Sequence, residues 1–501
     1  MPFRRLGVVV FCVGAASLGA EIAAARLLAP WFGASTIVWA NTIATVLVAL
    51  SVGYWLGGRL ADRDPRPAGL SRLVLAASIL LAAVPFLSGP FLRASADALD
   101  SVSPGGFAGS LVAVLALVAV PVLLLGTVSP YAVRLAVTSV EEAGRVTGRL
   151  YAISTAGSLV GTFLSALVLI PLAGTRRTFL AFALVLAVVG VAGLGRRLLV
   201  LVPLALAGLV ALPVGGVKAA DTGAGRVIWE RETEYQYARV VEEPSGRRRL
   251  ELNEGHAVHS VYAPGRWLTG DYWDDLLVAP AAALGRLPRR VAILGDAGGT
   301  TARALAHFSP RTQVDGVEID PELNAVARQL FGLRPGPRLR LHAADARTYL
   351  RHAPDGGFDA ILVDAYRQPY IPFHLVTREF FALAREKLAP GGVVVVNVGH
   401  PDDSDRLEKV LTATLRSEFP TVLRDPAQPT NTQLVATAAV RAGGARLRTA
   451  ALPGPLRSLA AVAAARLAPG LGGGEVYTDD HAPVEWLIDS SLLRYAAHGG
   501  R

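Results

Sequence analysis

Apolar positions run almost unbroken from Leu6 to Val217, and from Lys218 onward they give way to short alternating segments rich in charge. The first region divides into seven runs: Leu6–Leu28, Thr36–Leu56, Leu70–Leu92, Phe107–Val128, Leu150–Leu172, Thr178–Leu194 and Leu198–Val217. Each approaches the roughly 20 apolar residues needed to cross about 30 Å of hydrocarbon. The pattern predicts a transmembrane domain of about seven helices over residues 1–217. Arg4 and Arg5 precede the first run as they would in a signal peptide. No small-residue cleavage site follows, however, and more runs succeed it, so the first run reads as a retained helix. Gly14, Ala15, Ala16, Ser17, Gly19 and Ala20, then Gly157, Ser158 and Gly161, are small enough for close helix packing in lipid.

A linker is expected at 218–226 and a small β subdomain at 227–270, with a hairpin turning at Pro244–Gly246. Strands then alternate with helices. Arg290–Leu294 is a short apolar strand, followed by Gly295-Asp-Ala-Gly-Gly and a helix through Phe308. A second strand ends at Glu318, with Pro321 set to open the next helix. A third ends at Asp345, a fourth at Asp364, and Val393-Val-Val-Val-Asn-Val is a fifth. This alternation predicts a parallel sheet of Rossmann-like, class I methyltransferase-like type over 271–445. Residues 446–501 form a C-terminal segment.

Charge adds topology to this picture. The 501-residue chain is 52% hydrophobic and 18% charged, with a net charge of +9. Lys occurs only at Lys218, Lys387 and Lys409, so Arg supplies most of the excess. In the first half Arg gathers in the short connections, where positive charge marks cytoplasmic loops rather than nucleic-acid contacts. Alternating runs put the N-terminus in the cytoplasm of a multi-pass cell-membrane protein. Seven crossings would place the C-terminal domain on the other side, and which side it occupies is left open. Glu21 and Arg26 near the end of the first run are either an interfacial pair or functional groups. The lone Cys12 excludes an intrachain disulfide and a Cys-based metal cluster, and no metal is expected.

Parallel sheets bind ligands at the carboxyl ends of their strands. Gly295 and Gly298 would let the backbone approach a ligand closely. Glu318, after the second strand, is placed to accept both ribose hydroxyls of a nucleoside. Asp345, after the third, could accept from an adenine amino group or simply cap the next helix. Each feature alone is weak evidence; their recurrence at successive strand ends points to a nucleoside pocket.

With these residues in hand, the stretch from about Trp229 to Leu487 resembles the spermidine synthase family, in its membrane-fused bacterial form. The resemblance rests on Glu234-Tyr-Gln, Gly270-Asp-Tyr-Trp-Asp, Leu294-Gly-Asp-Ala-Gly-Gly, Val317-Glu-Ile-Asp-Pro, Ala344-Asp-Ala-Arg, Leu362-Val-Asp-Ala-Tyr and Tyr477-Thr-Asp-Asp-His-Ala-Pro-Val-Glu. It implies decarboxylated S-adenosylmethionine as co-substrate, held by Gln236, Gly295, Asp296, Gly298, Glu318 and Asp345. It implies Asp364 as the catalytic acid/base, an amine acceptor near Tyr272, Asp274, Tyr366 and Arg367, and pairing as a homodimer. The chain also departs from the family's pattern. Ala297 stands where the family's glycine turn carries its Asp, with Asp296 one place earlier, and Arg367 replaces a second acid in the loop after Asp364.

Three functions are compatible with this reading. The first is a membrane-bound aminopropyltransferase, with the lipid bilayer and a small-molecule amine as partners. The second is a methyltransferase using intact S-adenosylmethionine on an unknown substrate. The third is a transporter with a nucleoside- or polyamine-sensing domain, although no paired broken helices are legible in the sequence.

Overall fold

The computed structural model describes residues 2–32, 36–100, 105–195, 197–212, 225–253, 258–366, 371–400 and 404–488. The chain divides into two compact units. One comprises Met1–Ala220 with Glu230–Tyr237; the other comprises Asp221–Trp229 with Ala238–Arg501.

The first unit is helical. Its elements are α1 (Phe3–Phe32), α2 (Thr36–Arg63), α3 (Pro67–Asp100), α4 (Gly105–Val114), α5 (Val120–Ala136), α6 (Val140–Leu164), α7 (Ile170–Ala173), α8 (Thr175–Leu194) and α9 (Leu201–Ala211). A π-helical turn, Leu115–Ala119, joins α4 to α5, and a second, Ser165–Leu169, joins α6 to α7. Each pair is therefore one continuous rod. Among the described residues six helices are long and apolar enough to cross a membrane: Phe3–Ala29, Val38–Arg63, Pro67–Leu92, Gly109–Ala136, Val140–Ala173 and Thr175–Leu194.

The seventh apolar run yields a shorter helix than its length in sequence predicts. Its α-helix has 11 residues, about 16 Å at 1.5 Å per residue, and a 3₁₀ turn at Arg197–Val200 precedes it. The Arg177 guanidinium donates to the Leu212 carbonyl at 3.3 Å, so α9 runs back toward the start of α8. The end of that run, 213–217, lies outside the described residues.

Two sheets follow the helices along the chain. The smaller has the order β1-β2-β3-β4, from Arg226–Glu232, Tyr237–Glu242, Arg248–Leu252 and Val258–Tyr262. Its β2–β3 hairpin pairs Glu242 with Arg248, which places the turn at the expected Pro244–Gly246. The larger sheet is built from β5 (Arg290–Leu294), β6 (Gln313–Glu318), β7 (Leu339–Ala343), β8 (Phe358–Val363), β9 (Leu388–Gly399), β10 (Thr421–Gln428), β11 (Asn431–Thr437) and β12 (Ala468–Pro469). Its order is β12-β10-β11-β9-β8-β5-β6-β7.

The five expected strands, β5 to β9, are parallel. The strand–helix alternation predicts nothing beyond them. The structure extends the sheet with β11 antiparallel to β9 and β10 antiparallel to β11, so it is mixed. The chain turns from one side of β5 to the other between β7 and β8, which makes the β5/β8 edge a topological switch point, the usual ligand crevice of such sheets. Register then decides which side chains meet there. Leu294 pairs with Val317 on one side and Val363 on the other, so Gly295, Glu318 and Asp364 emerge side by side.

Candidate active site

The turn after β5 is shaped by contacts that only particular residues allow. Gly295 has φ +88°, and a Cβ on it would stand 2.5 Å from the Ala365 Cα. Its N–H and that of Asp296 both donate to the Val317 carbonyl. Ala297 adopts the left-handed region at φ +46°, uncommon for a residue with a Cβ. That conformation aims its N–H at Glu318 Oε2, 3.0 Å away. Gly298 donates to Ser260 Oγ at 2.8 Å, joining the turn to β4 of the smaller sheet.

Glu318 accepts a second N–H, from Asp320, at 3.0 Å on its other oxygen. A carboxylate offers about four lone-pair sites, so accepting capacity remains for a ligand. Asp320 in turn caps the helix that follows, accepting from the Glu322 N–H. Asp296 is buried, and a Cβ on Gly316 would press against its Oδ2. Its Oδ1 makes no hydrogen bond among the described residues.

Asp364 receives donors on both oxygens. Asn397 Nδ2 donates to Oδ1 at 2.7 Å, and the Tyr272 hydroxyl donates to Oδ2 at 3.3 Å. The Asn397 side chain cannot flip without loss, because its Oδ1 accepts from Asn431 Nδ2 at 3.1 Å and Gln433 Nε2 at 3.2 Å. Asn397, Asn431 and Gln433 are absent from the candidates that the sequence motifs supply. The available signal was an asparagine interrupting the valine run of β9, a polar group at the carboxyl end of a buried strand. Asn431 and Gln433 gave no such signal, since they belong to β11, a strand outside the predicted parallel set.

The remaining candidates have different roles. The Tyr366 hydroxyl donates to the Asn397 carbonyl at 2.9 Å. Asp345 caps the helix Ala346–His352, accepting from the Thr348 N–H at 2.9 Å, and its other oxygen lies 3.0 Å from His374 Nε2. Asp274 turns back on its own loop, accepting from the Thr269 and Gly270 N–H groups and the Thr269 hydroxyl. Gln236 is buried, with its carbonyl accepting from the Thr233 hydroxyl at 3.0 Å, and belongs by its contacts to the helical unit. Arg367 lies outside the described residues. The C-terminal motif is architectural: Asp479 accepts from both Arg347 amino groups at 2.7 and 2.6 Å and from the Thr377 hydroxyl at 2.7 Å.

Three buried carboxyls share an unusual titration. Burial pushes Asp296, Glu318 and Asp364 up to about 7, and in Asp296 the neighbouring charges of Glu318 and Asp364 add to it. The donors on Glu318 and Asp364 act the other way without overcoming burial. Unfolding returns such groups to the ordinary carboxylate range, so between about pH 4 and 7 the folded state binds more protons than the unfolded one. Stability from these groups is therefore greatest at the acid end and is lost as pH rises toward 7. The expected result is a urea midpoint for the ligand-free full chain that rises from pH 7.5 to pH 5.5, with a smaller rise in Asp296→Asn. A midpoint that falls on acidification would contradict this account.

Comparison with known proteins accords with this geometry. Residues 274–427 match the family model described as a spermine/spermidine synthase domain. A probable polyamine aminopropyl transferase of Bifidobacterium longum is 36% identical over 214 residues, covering 42% of this chain and 47% of that protein. A polyamine aminopropyltransferase of Mycobacterium tuberculosis is 32% identical over 306 residues, covering 56% and 57%. The chain thus spans about half the length of the curated relatives it matches. Among solved structures, a probable spermidine synthase from Corynebacterium glutamicum is similar with a TM-score of 0.38 and 21% identity, covering 53% of this chain and 98% of that one.

Proposed function

From the spermine/spermidine synthase domain carried at residues 274–427, we propose that the chain is a membrane-bound aminopropyltransferase, moving an aminopropyl group from decarboxylated S-adenosylmethionine to an amine. The observation that carries this reading is Asp364, a buried strand-end carboxyl with donors on both oxygens beside the glycine turn. The acceptor amine attacks the carbon next to the sulfonium. A C–N bond forms, the C–S bond breaks, its electron pair stays on sulfur, and the amine's proton must leave. At a pKa near 10.4, presenting a neutral amine at pH 7 costs about 4.6 kcal/mol. A carboxylate of pKa about 7 within hydrogen-bond reach orients the amine and takes that proton. Asn397 and Tyr272 donate to Asp364, which directs its accepting lone pairs toward the substrate.

Glu318 would hold the ribose, and Asp345 the adenine through the oxygen it shares with His374. Six apolar helices of spanning length support insertion in a bilayer. The methyltransferase reading keeps the same nucleoside pocket. Asp296 argues against it: a buried carboxyl oxygen with no hydrogen-bond partner among the described residues suits the cationic amine of the decarboxylated co-substrate. The carboxylate of intact S-adenosylmethionine would be repelled there.

Calorimetry of the purified full chain with each form tests the proposal. Binding of the decarboxylated form at least about tenfold tighter is expected, equivalent to about 1.4 kcal/mol. Preference for intact S-adenosylmethionine would replace the proposal with methyl transfer.

A further inference from the structure

The helical unit contains a symmetry that its sequence does not display. A Cβ on Gly53 or Gly57 of α2 would collide with the carbonyls of Leu123 and Thr127 in α5. A Cβ on Gly157 or Gly161 of α6 would collide with the carbonyls of Phe11 and Ala15 in α1. The reciprocal contacts also match, Gly126 against the Leu50 carbonyl and Gly14 against the Ser154 carbonyl. Adding 112 to Phe11, Gly14 and Ala15 gives Leu123, Gly126 and Thr127; adding 104 to Leu50, Gly53 and Gly57 gives Ser154, Gly157 and Gly161. One offset per helix therefore carries every one of these contacts from one seam onto the other.

Direction completes the relation. Both seams join parallel helices, since contact positions rise together along α1 and α6 and along α2 and α5. Yet α2 starts at Thr36, just after α1 ends at Phe32, and must run back. The two seams therefore point in opposite directions. Helices α1 to α3 and α4 to α8 form two repeats of three rods with inverted orientation, and the glycine seams are the interface between the repeats. Many carriers are built from inverted repeats of this kind, with the ligand held at the repeat interface.

A charged side chain lies on that interface. Glu21 stands seven residues beyond Gly14, nearly two full turns, and so on the same face of α1. It is half-buried and makes no hydrogen bond or ion pair among the described residues. Arg26, the nearest cation in sequence, donates instead to the Thr233 carbonyl. The same offset carries Glu21 to Val133, so the acid belongs to one repeat alone. An unpaired carboxylate within a spanning helix is costly, is by default a functional-site candidate, and suits a cationic partner.

We propose that the helical unit is an inverted-repeat carrier for a small organic cation, with Glu21 as its counter-charge. That the cation is a diamine rests on the transferase reading; the site rests on Glu21 and the repeat.

The test is uptake of radiolabelled putrescine by the full chain in liposomes, with aminopropyl transfer measured on the same preparation. Wild-type vesicles should exceed protein-free vesicles at least about tenfold. Glu21→Gln should lose that uptake while keeping transfer, and Glu21→Asp should restore part of it. Wild-type uptake at the protein-free level, or undiminished uptake by Glu21→Gln, would overturn the proposal. Uptake without transfer would leave the carrier standing and remove the transferase reading instead.

Discussion

Asp364→Asn should lower the rate of aminopropyl transfer by about 10²–10⁴-fold, the range typical for loss of a positioned acid/base, with little change in the affinity for the nucleoside co-substrate. The amide keeps the size of the carboxyl and can still accept from Asn397 or Tyr272, so the pocket should keep its shape. It cannot take a proton from the incoming amine. The effect should therefore fall on kcat rather than on KM for the co-substrate, and the limb of the pH–rate profile near pH 7 should disappear. Steady-state kinetics with both substrates varied makes this split visible. An Asp364→Asn enzyme within a few-fold of wild type would mean that Asp364 only ends its strand. Asn397→Ala should give a milder loss with a shifted pH optimum, because it removes one of the donors that hold Asp364 as an acceptor.

Glu318→Ala should weaken binding of the nucleoside co-substrate on the order of 100-fold, since hydrogen bonds to a charged group contribute about 1.5–3 kcal/mol each. The same change leaves the Ala297 and Asp320 N–H groups without their acceptor. Part of the loss would then come from a turn no longer held in its left-handed conformation. Glu318→Gln separates the two effects, because its carbonyl oxygen still accepts an N–H while the charge is gone. Calorimetry on both variants should show an intermediate affinity for Glu318→Gln and a lower urea midpoint only for Glu318→Ala. Wild-type affinity in Glu318→Ala would remove the ribose role.

Much of this site is legible in the amino-acid sequence. Glu318, Asp345 and Asp364 each close a segment of strand length, and Gly295 follows another. A parallel sheet can place such residues only at its carboxyl edge. Asp274 and Asp345 show where that reasoning thins. Both acids lie in the right stretch of chain, yet Asp274 is engaged by its own loop and Asp345 also caps a helix, roles set by backbone conformation a few residues away. Asn397 is legible only as an oddity in a valine run. Its partners come from β11, whose place beside β9 is a long-range pairing with no local signature.

In the helical unit, length and apolarity are written directly into local composition, and the small residues are visible there too. Which helix each small residue faces is not. That choice depends on interhelical register, and six similar apolar rods offer many registers of nearly equal composition. Gly53 and Gly57 meet α5, and Gly157 and Gly161 meet α1, only once the rods are packed, and the inverted repeat emerges with that packing. In the second unit the strand–helix alternation and the chemistry at strand ends are enough to specify the five parallel strands and their ligand edge, because short strands separated by helices leave few other topologies; the antiparallel extension was not specified that way. The hydrogen-bond network around Asp364 depends instead on strand order, a property of the whole sheet that no single segment encodes.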